Sequence, residues 1–447
     1  MKEKSTNTPN NDTFNKEDNT QEQRDTFQDI LNDQDLERLF EKHGIENPRD
    51  RKLSIYNFFW LMILSTSDPS RRGTLHQLIS FFLGAIIFLS TTKVESLSKS
   101  AVSQRLSGTS WFFFRGVYNH LLSKYKKLLP KGELQLLKYF KDIFAVDGSV
   151  ISLCKEVEQL FASTNKGLAS LKLNTKFSIF LRVVTKLQVT KGKRHDILFK
   201  FVTKEENVLY LVDLGYWSYK LMQQIIDAGG YFVMKLKSSC DPLIVAVVGQ
   251  ELEHLVGRRL SEVKEWLIQS GITELDITVQ LSKAKRPHFV EEIRLVGILH
   301  EEEWYFYVTN IFSADFNPSM IYKLYSLRWQ VEIFFNVIKN VLNVKNIISK
   351  NKNGIMIEIY SALIMYLLTQ IVIAMAARKS NQSIHNYSFE LCTKLLRGFL
   401  ITNLRLFFEH CCKALDMLIN DLVNVVIKMG RRQSKSPVID VGDGLVA

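Results

Sequence analysis

The sequence predicts a mixed α/β protein: a sheet covered by helices, set between helical regions at either end of the chain. Three observations carry this. Apolar runs bounded by turn residues occur at Ile143–Leu153, Val208–Leu214 and Tyr231–Leu236, the texture of strands buried in a sheet. An amphipathic run, Ser218–Ala228, lies between the last two and stops at Gly229-Gly230, giving strand, helix, strand. Helical periodicity fills both flanks, from Phe27 to about Pro130 and over roughly 387–428.

Residues 1–25 are rich in Asn, Asp, Thr, Glu and Gln with one aromatic, Phe14, and read as a disordered polar tail. Residues 26–135 form a helical N-terminal domain, with breaks at Asn47-Pro48 and Asp68-Pro69. Within it, Leu97–Leu106 reads LSKSAVSQRL, where Ser98 or Ser100 caps a short helix exposing Ser103, Gln104 and Arg105. Gln and Arg at the front of a helix suit base edges, so Gln104 and Arg105 are candidate DNA contacts in an element resembling a helix-turn-helix.

The sheet follows in a first part, 136–239. Besides the runs above, strands are expected at Phe177–Val184, Leu187–Thr190 and His195–Val202, the last entered through Lys191-Gly192-Lys193-Arg194. Residues 240–311 hold a helix, Leu260–Gln269, and alternating strands at Ile272–Leu281, Glu291–Leu299 and Trp304–Thr309, read together as a β-rich insertion. Residues 312–380 return to helix, and 381–447 form a helical region with a basic tail, Lys428, Arg431, Arg432 and Lys435. Ile359–Ala377 has nineteen residues without a charge, near bilayer-spanning length. Ser361, Thr369 and Gln370 within it, and the lack of a second such segment, favour a buried core helix and no membrane.

A net charge of +12 is unevenly placed: residues 1–39 carry −5, leaving +17 for the rest, a body suited to a polyanion such as DNA or to an anionic membrane surface. The five cysteines are odd in number and contain no C-x-x-C pair, which argues against a disulfide framework or a zinc site and fits a reducing cytoplasm.

The chemistry gathers in one stretch. Ile321–Val344 carries no Pro or Gly and reads as a long helix. Tyr325, Arg328, Glu332, Asn336 and Lys339 share a stripe within roughly 80° of arc at about 100° per residue. Leu327, Val331, Phe334, Ile338 and Leu342 form the opposite, buried face. Trp329, Ile333, Phe335 and Val337 flank the stripe, so it is expected to be enclosed and to line a cleft. Upstream, Asp147 and Asp213 each follow an apolar strand run, where a carboxylate is costly unless paired or metal-bound. Three carboxylates without a His/Cys set point to Mg²⁺ or Mn²⁺, and two such ions suit phosphodiester chemistry.

Asp147 in VDGSV, Asp213 in VDLGYW and the spacing Tyr325-x2-Arg328-x3-Glu332-x6-Lys339 resemble the DDE transposases of bacterial insertion sequences, the group with the Tyr-Arg-Glu-Lys motif. VTNI at Val308–Ile311 is also typical of it, and the resemblance spans roughly residues 95 to 380. It implies an RNase H-like core interrupted by a β-rich insertion, with Asp147, Asp213 and Glu332 as catalytic metal ligands. Tyr325, Arg328 and Lys339 are implied to contact transposon-end phosphates. In place of the charged residue that many relatives carry after the second aspartate, this chain has Leu214-Gly215-Tyr216-Trp217.

The expectation is a transposase that cuts the terminal inverted repeats of its element and joins the 3′-hydroxyl ends to target DNA. It is expected in the cytoplasm, on the nucleoid when bound, as a homodimer in the synaptic complex. A stand-alone metal-dependent DNA nuclease and a non-catalytic, transposase-derived DNA-binding protein are the alternatives. Asn336 has no assigned role.

Overall fold

The structure, a computed structural model, describes residues 33–45, 53–68, 74–85, 96–129, 138–247, 250–281, 291–408 and 412–431. The polar tail and Arg432 and Lys435 of the basic tail lie outside them. Five helices open the described chain: α1 (Asp33–Lys42), α2 (Ile55–Thr66), α3 (Leu75–Ala85), α4 (Lys99–Gly108) and α5 (Trp111–Leu128). Their starts follow the side chains: the Ser54 hydroxyl accepts from Asn57 N–H before α2, and that of Ser98 from Ala101 N–H before α4.

Among the described residues nine strands form a single sheet in the order β3-β2-β1-β4-β5-β9-β8-β7-β6. They are β1 (Asp142–Leu153), β2 (Ala169–Ser178), β3 (Val183–Lys191), β4 (Val208–Val212), β5 (Tyr231–Lys235), β6 (Leu243–Val247), β7 (Glu274–Gln280), β8 (Glu292–His300) and β9 (Glu303–Thr309). β1, β4 and β5 run parallel, and the other pairings are antiparallel, which is the mixed sheet of an RNase H-like α/β fold. Two strand expectations shift. The run 177–184 is divided by a hairpin turn in which Arg182 adopts φ 54°, and 195–202 holds a 3-10 turn, Asp196–Leu198, instead of a strand.

The β-rich block pairs edge to edge with the core, since β5 joins β9 at Val233↔Thr309, so it extends the sheet. Asn310 of the VTNI run completes the join: its amide donates to Gly230 C=O at 2.9 Å and accepts from Phe232 N–H at 2.9 Å. Arg294, almost fully buried, grips Asp276 through two nitrogens at 2.8 and 2.6 Å and donates to the carbonyls of Ile311 and Phe316. The chain leaving β9 is thereby fixed to the extension just before α8 (Pro318–Ser326), which Asn317 caps and Pro318 opens.

Strand alternation divides the core. Ile143, Ala145, Leu209, Leu211 and Val233 face one cluster; Phe144, Val146, Tyr210, Val212 and Met234 face the other. α6 (Tyr219–Asp227) and α7 (Leu260–Gln269) cover the second face. The first is covered by α8, α9 (Trp329–Asn336) and α10 (Lys352–Ser380). α10 is the only described helix long and apolar enough to cross a membrane, and it is buried within the protein instead, against α2, α5, α11 (Phe389–Phe408) and α12 (Cys412–Met429). Each Ile or Leu it buries contributes roughly 1.5–3 kcal/mol.

The N-terminal helices belong to this same cluster. Asn343, buried at φ 57°, donates to the carbonyls of Thr66 and Asp68 at the end of α2. Asn353 donates to Leu106 and Thr109 at the end of α4 and accepts from Trp111 N–H. Buried Glu358 of α10 accepts the backbone N–H groups of Ile348 and Ser349, closing the loop between α9 and α10.

Candidate active site

β1 and β4 are in register at Val146↔Val212, so Asp147, midway along β1, and Asp213, just past the end of β4, emerge side by side where the parallel pairing of the two strands stops. Continuing the alternation of Ile143, Ala145, Leu209 and Leu211, both point to the face covered by α8 and α9. Asp147 accepts from Gly148 N–H at 2.7 Å. Asp213 caps the 3-10 turn Leu214–Tyr216. Both glycines beside them are packed tightly: a Cβ on Gly148 would lie 2.8 Å from Asn174 Oδ1 and 3.0 Å from Asp196 Oδ1. On Gly215 it would lie 3.3 Å from Asp196 Oδ2.

Glu332 comes from α9, which packs on β1. The expected continuous helix is broken into parts that aim its polar groups separately. Around Arg328 the backbone tightens, with i→i+3 bonds from Arg328 N–H to Tyr325 C=O and from Val331 N–H to Arg328 C=O. Over Val337–Val341 it loosens into a π-helical turn, a feature frequent at functional sites.

Arg328 sits at the centre of the carboxylates. Its Nη1 lies 3.1 Å from Asp147 Oδ2 and 3.9 Å from Asp213 Oδ1, and its Nη2 lies 2.5 Å from Glu332 Oε1. Its guanidinium carbon stands 5.7 Å from the Tyr325 ring centroid, and that ring packs on Tyr307 at 4.9 Å. Burial pushes the Asp147 carboxyl up to about 6; the Gly148 N–H and Arg328 oppose this, and Asp213 and Glu332 add to it. Burial pushes the Tyr325 phenol up to about 12, so it stays a neutral donor at physiological pH. Lys339, on the π turn, is lowered by desolvation, and among the described residues it has no ion-pair partner.

Asp147, Asp213, Glu332, Arg328 and Tyr325 are thus brought together, with Lys339 further along the same helical segment. Gln104 and Arg105 lie on α4, among the N-terminal helices. Gln104 is exposed, whereas the Arg105 guanidinium donates twice to Leu53 C=O, at 3.1 and 2.8 Å. Asn336 accepts from the Asn340 amide. The expected enclosure of the stripe is found on one flank only: Phe335 is buried, whereas Trp329 is 61% exposed and Ile333 49%, so two apolar side chains stand open beside Glu332.

Two groups near the site escaped the sequence reading. Lys235 follows Met234, which pairs with Val212, so it continues the row Asp147–Asp213 on the next strand. Asp196, ion-paired to Lys172 at 3.0 Å, is wedged against both glycines. Neither had a signal in the sequence alone: the first joins the row only through strand register, the second only through packing.

The donor set fits hard divalent cations: three acceptor-only carboxylates already gathered around one positive group. With the guanidinium between them, no three acidic, His or Cys side chains among the described residues stand close enough to share one ion.

Comparison with known proteins agrees with this geometry. Residues 138–368, which include all three carboxylates, match the family described as "Transposase DDE domain". The chain belongs to the DDE transposase family. Curated relatives are diverged from this chain. The "Transposase for insertion sequence element IS1151" of Clostridium perfringens is 23% identical over 62% of this chain and 67% of its own length. The "Probable transposase for insertion sequence element IS5377" of Geobacillus stearothermophilus is 24% identical over 72% and 82%. The "Transposase for insertion sequence element IS231F" of Bacillus thuringiensis subsp. israelensis is 22% identical over 61% and 65%. The protein is a DNA transposase of insertion-sequence type.

Proposed function

We propose that this DDE transposase cuts the terminal inverted repeats of its own element and joins the freed 3′-hydroxyls to target DNA, with Asp147, Asp213 and Glu332 as the catalytic carboxylates. The observation that carries this is the meeting of three carboxylates from β1, β4 and α9 on a single cationic group. Asp147, Asp213 and Glu332 would hold Mg²⁺ or Mn²⁺, two ions in the working complex. When bound, the metal supplies activation of a water or 3′-hydroxyl and neutralises charge on the departing oxygen.

The chain's own residues position the DNA. Tyr325, protonated at physiological pH, donates to a phosphate oxygen, and Arg328 forks onto a phosphate near the cut. Lys339, desolvated and unpaired among the described residues, adds a third cationic contact that a phosphate stabilises. Exposed Gln104 is placed to touch DNA from α4. Arg105, whose guanidinium is engaged with Leu53, contributes by holding α4 in place. Synapsis of two element ends implies a homodimer on nucleoid DNA.

The test is a cleavage and strand-transfer assay in Mg²⁺ on a duplex taken from the DNA just outside the coding region. Glu332→Gln is expected to abolish cutting while retaining the duplex in a gel shift. Cutting by Glu332→Gln at the wild-type rate would overturn the catalytic assignment. Cutting by the wild type without end joining would make the protein a nuclease alone.

A further inference from the structure

Arg328 has two claims on it that one guanidinium cannot meet together. As the structure stands it is inside the site: its side chain is only 15% exposed and spans Asp147 and Glu332, with Asp213 at the edge of ion-pair range. It engages Asp147 Oδ2 and Glu332 Oε1, oxygens of two of the three carboxylates that would hold a divalent ion. A guanidinium forked between these oxygens has no free fork for a phosphate. It is rooted where α8 gives way to α9, on a backbone already departing from α-helical bonding. Its Nε–H is buried without an acceptor, so this arrangement leaves one donor unsatisfied.

We propose that Arg328 is an exchangeable internal counter-cation: it holds the three carboxylates together before DNA arrives, then moves to a DNA phosphate and releases them to the metal. The proposal rests on the metal-binding reading of Asp147, Asp213 and Glu332. One consequence is thermodynamic. If DNA draws Arg328 away and metal displaces it, each ligand favours the state the other needs, and the coupling is reciprocal. The site stays short of metal until an element end is in place, which restrains stray cutting.

The experiment measures Mn²⁺ binding by electron paramagnetic resonance, using the full chain with and without a duplex from the DNA just outside the coding region. Arg328→Ala, without DNA, is expected to bind Mn²⁺ about tenfold tighter than wild type or more. The wild type is expected to gain at least that factor when the duplex is added, and Arg328→Ala clearly less. Arg328→Gln, closer in size, serves as the second variant should alanine disturb folding, with circular dichroism as the check on both. Equal Mn²⁺ affinity of wild type and folded variant without DNA would overturn the proposal and leave the metal site standing. Failure of every form to bind Mn²⁺, even with DNA, would overturn the metal reading itself, and this proposal with it.

Discussion

β1 carries an aspartate at each end of its first apolar run, and burial raises both: Asp142 to about 7 and Asp147 to about 6. Their partners differ. Asp142 accepts from Ile143 N–H and, through both oxygens, from the Ser178 hydroxyl at 2.8 and 2.9 Å. These groups are fixed by the pairing of β1 with β2 and β4, and among the described residues no cation pairs with it. Asp147 is matched by one backbone N–H and a guanidinium from another element. A displaced pKa therefore marks burial in both cases. What separates the structural carboxylate from the one proposed to be catalytic is the origin of its partner: neighbouring strands for Asp142, a side chain from a separate helical segment for Asp147.

That contrast is open to attack from both sides. The largest effect is expected from Asp147→Asn, which should lower end cleavage by roughly a thousandfold or more, whereas Asp142→Asn should leave it within a few-fold. Comparable losses from both would erase the distinction. Next comes pH. The folded state keeps the Asp142 proton up to about 7, whereas the unfolded carboxyl releases it near 3.8. Asp142 thus contributes stability that is fully present below about pH 4 and lost as pH rises through about 7. Its share of the slope is at most about 1.4 kcal/mol per pH unit. Urea melts of wild type and Asp142→Asn across this window should show a flatter profile for the variant.

A third carboxylate extends the fixed class. Glu358→Gln sets an amide –NH₂ against N–H groups that now meet an acceptor, and is expected to cost about 1–3 kcal/mol by urea melt. The arginines repeat the pattern with a smaller effect. Arg105→Ala removes two hydrogen bonds to Leu53 C=O and should cost about 1–2 kcal/mol. Exposed Gln104→Ala should stay within about 0.5 kcal/mol, any effect appearing in DNA affinity instead.

The aspartates were readable because a charge after an apolar strand run is conspicuous in one dimension, and Glu332 because helical spacing places it with Arg328. The strands of the sheet extension and the helix Leu260–Gln269 were readable for the same reason: periodicity is local. What depends on pairing between distant segments was not. Lys235 enters the row of aspartates only through the β4–β5 register, and Asp196 only through its wedge against Gly148 and Gly215. The β2–β3 turn was hidden because Arg182, not glycine, takes the left-handed conformation, against the usual steric preference. The breaks on either side of α9 have no Pro or Gly to announce them. The openness around Trp329 was missed because apolar flanks normally imply cover.

The asparagine ties described for α2 and α4 have a meaning for how the chain is made. Asn343 and Thr66 are 277 residues apart, and Asn353 and Leu106 are 247 apart. During synthesis the aromatic side chains of Phe58, Phe59, Phe113 and Phe114 leave the ribosome long before α10, the helix they are built to meet. Contacts of such sequence separation slow folding, because the loop between the two segments must close before they form. The same late helix, α10, packs on α2 and α5 and on the segment that follows α9, so it joins the first helices of the chain to the element that carries Glu332.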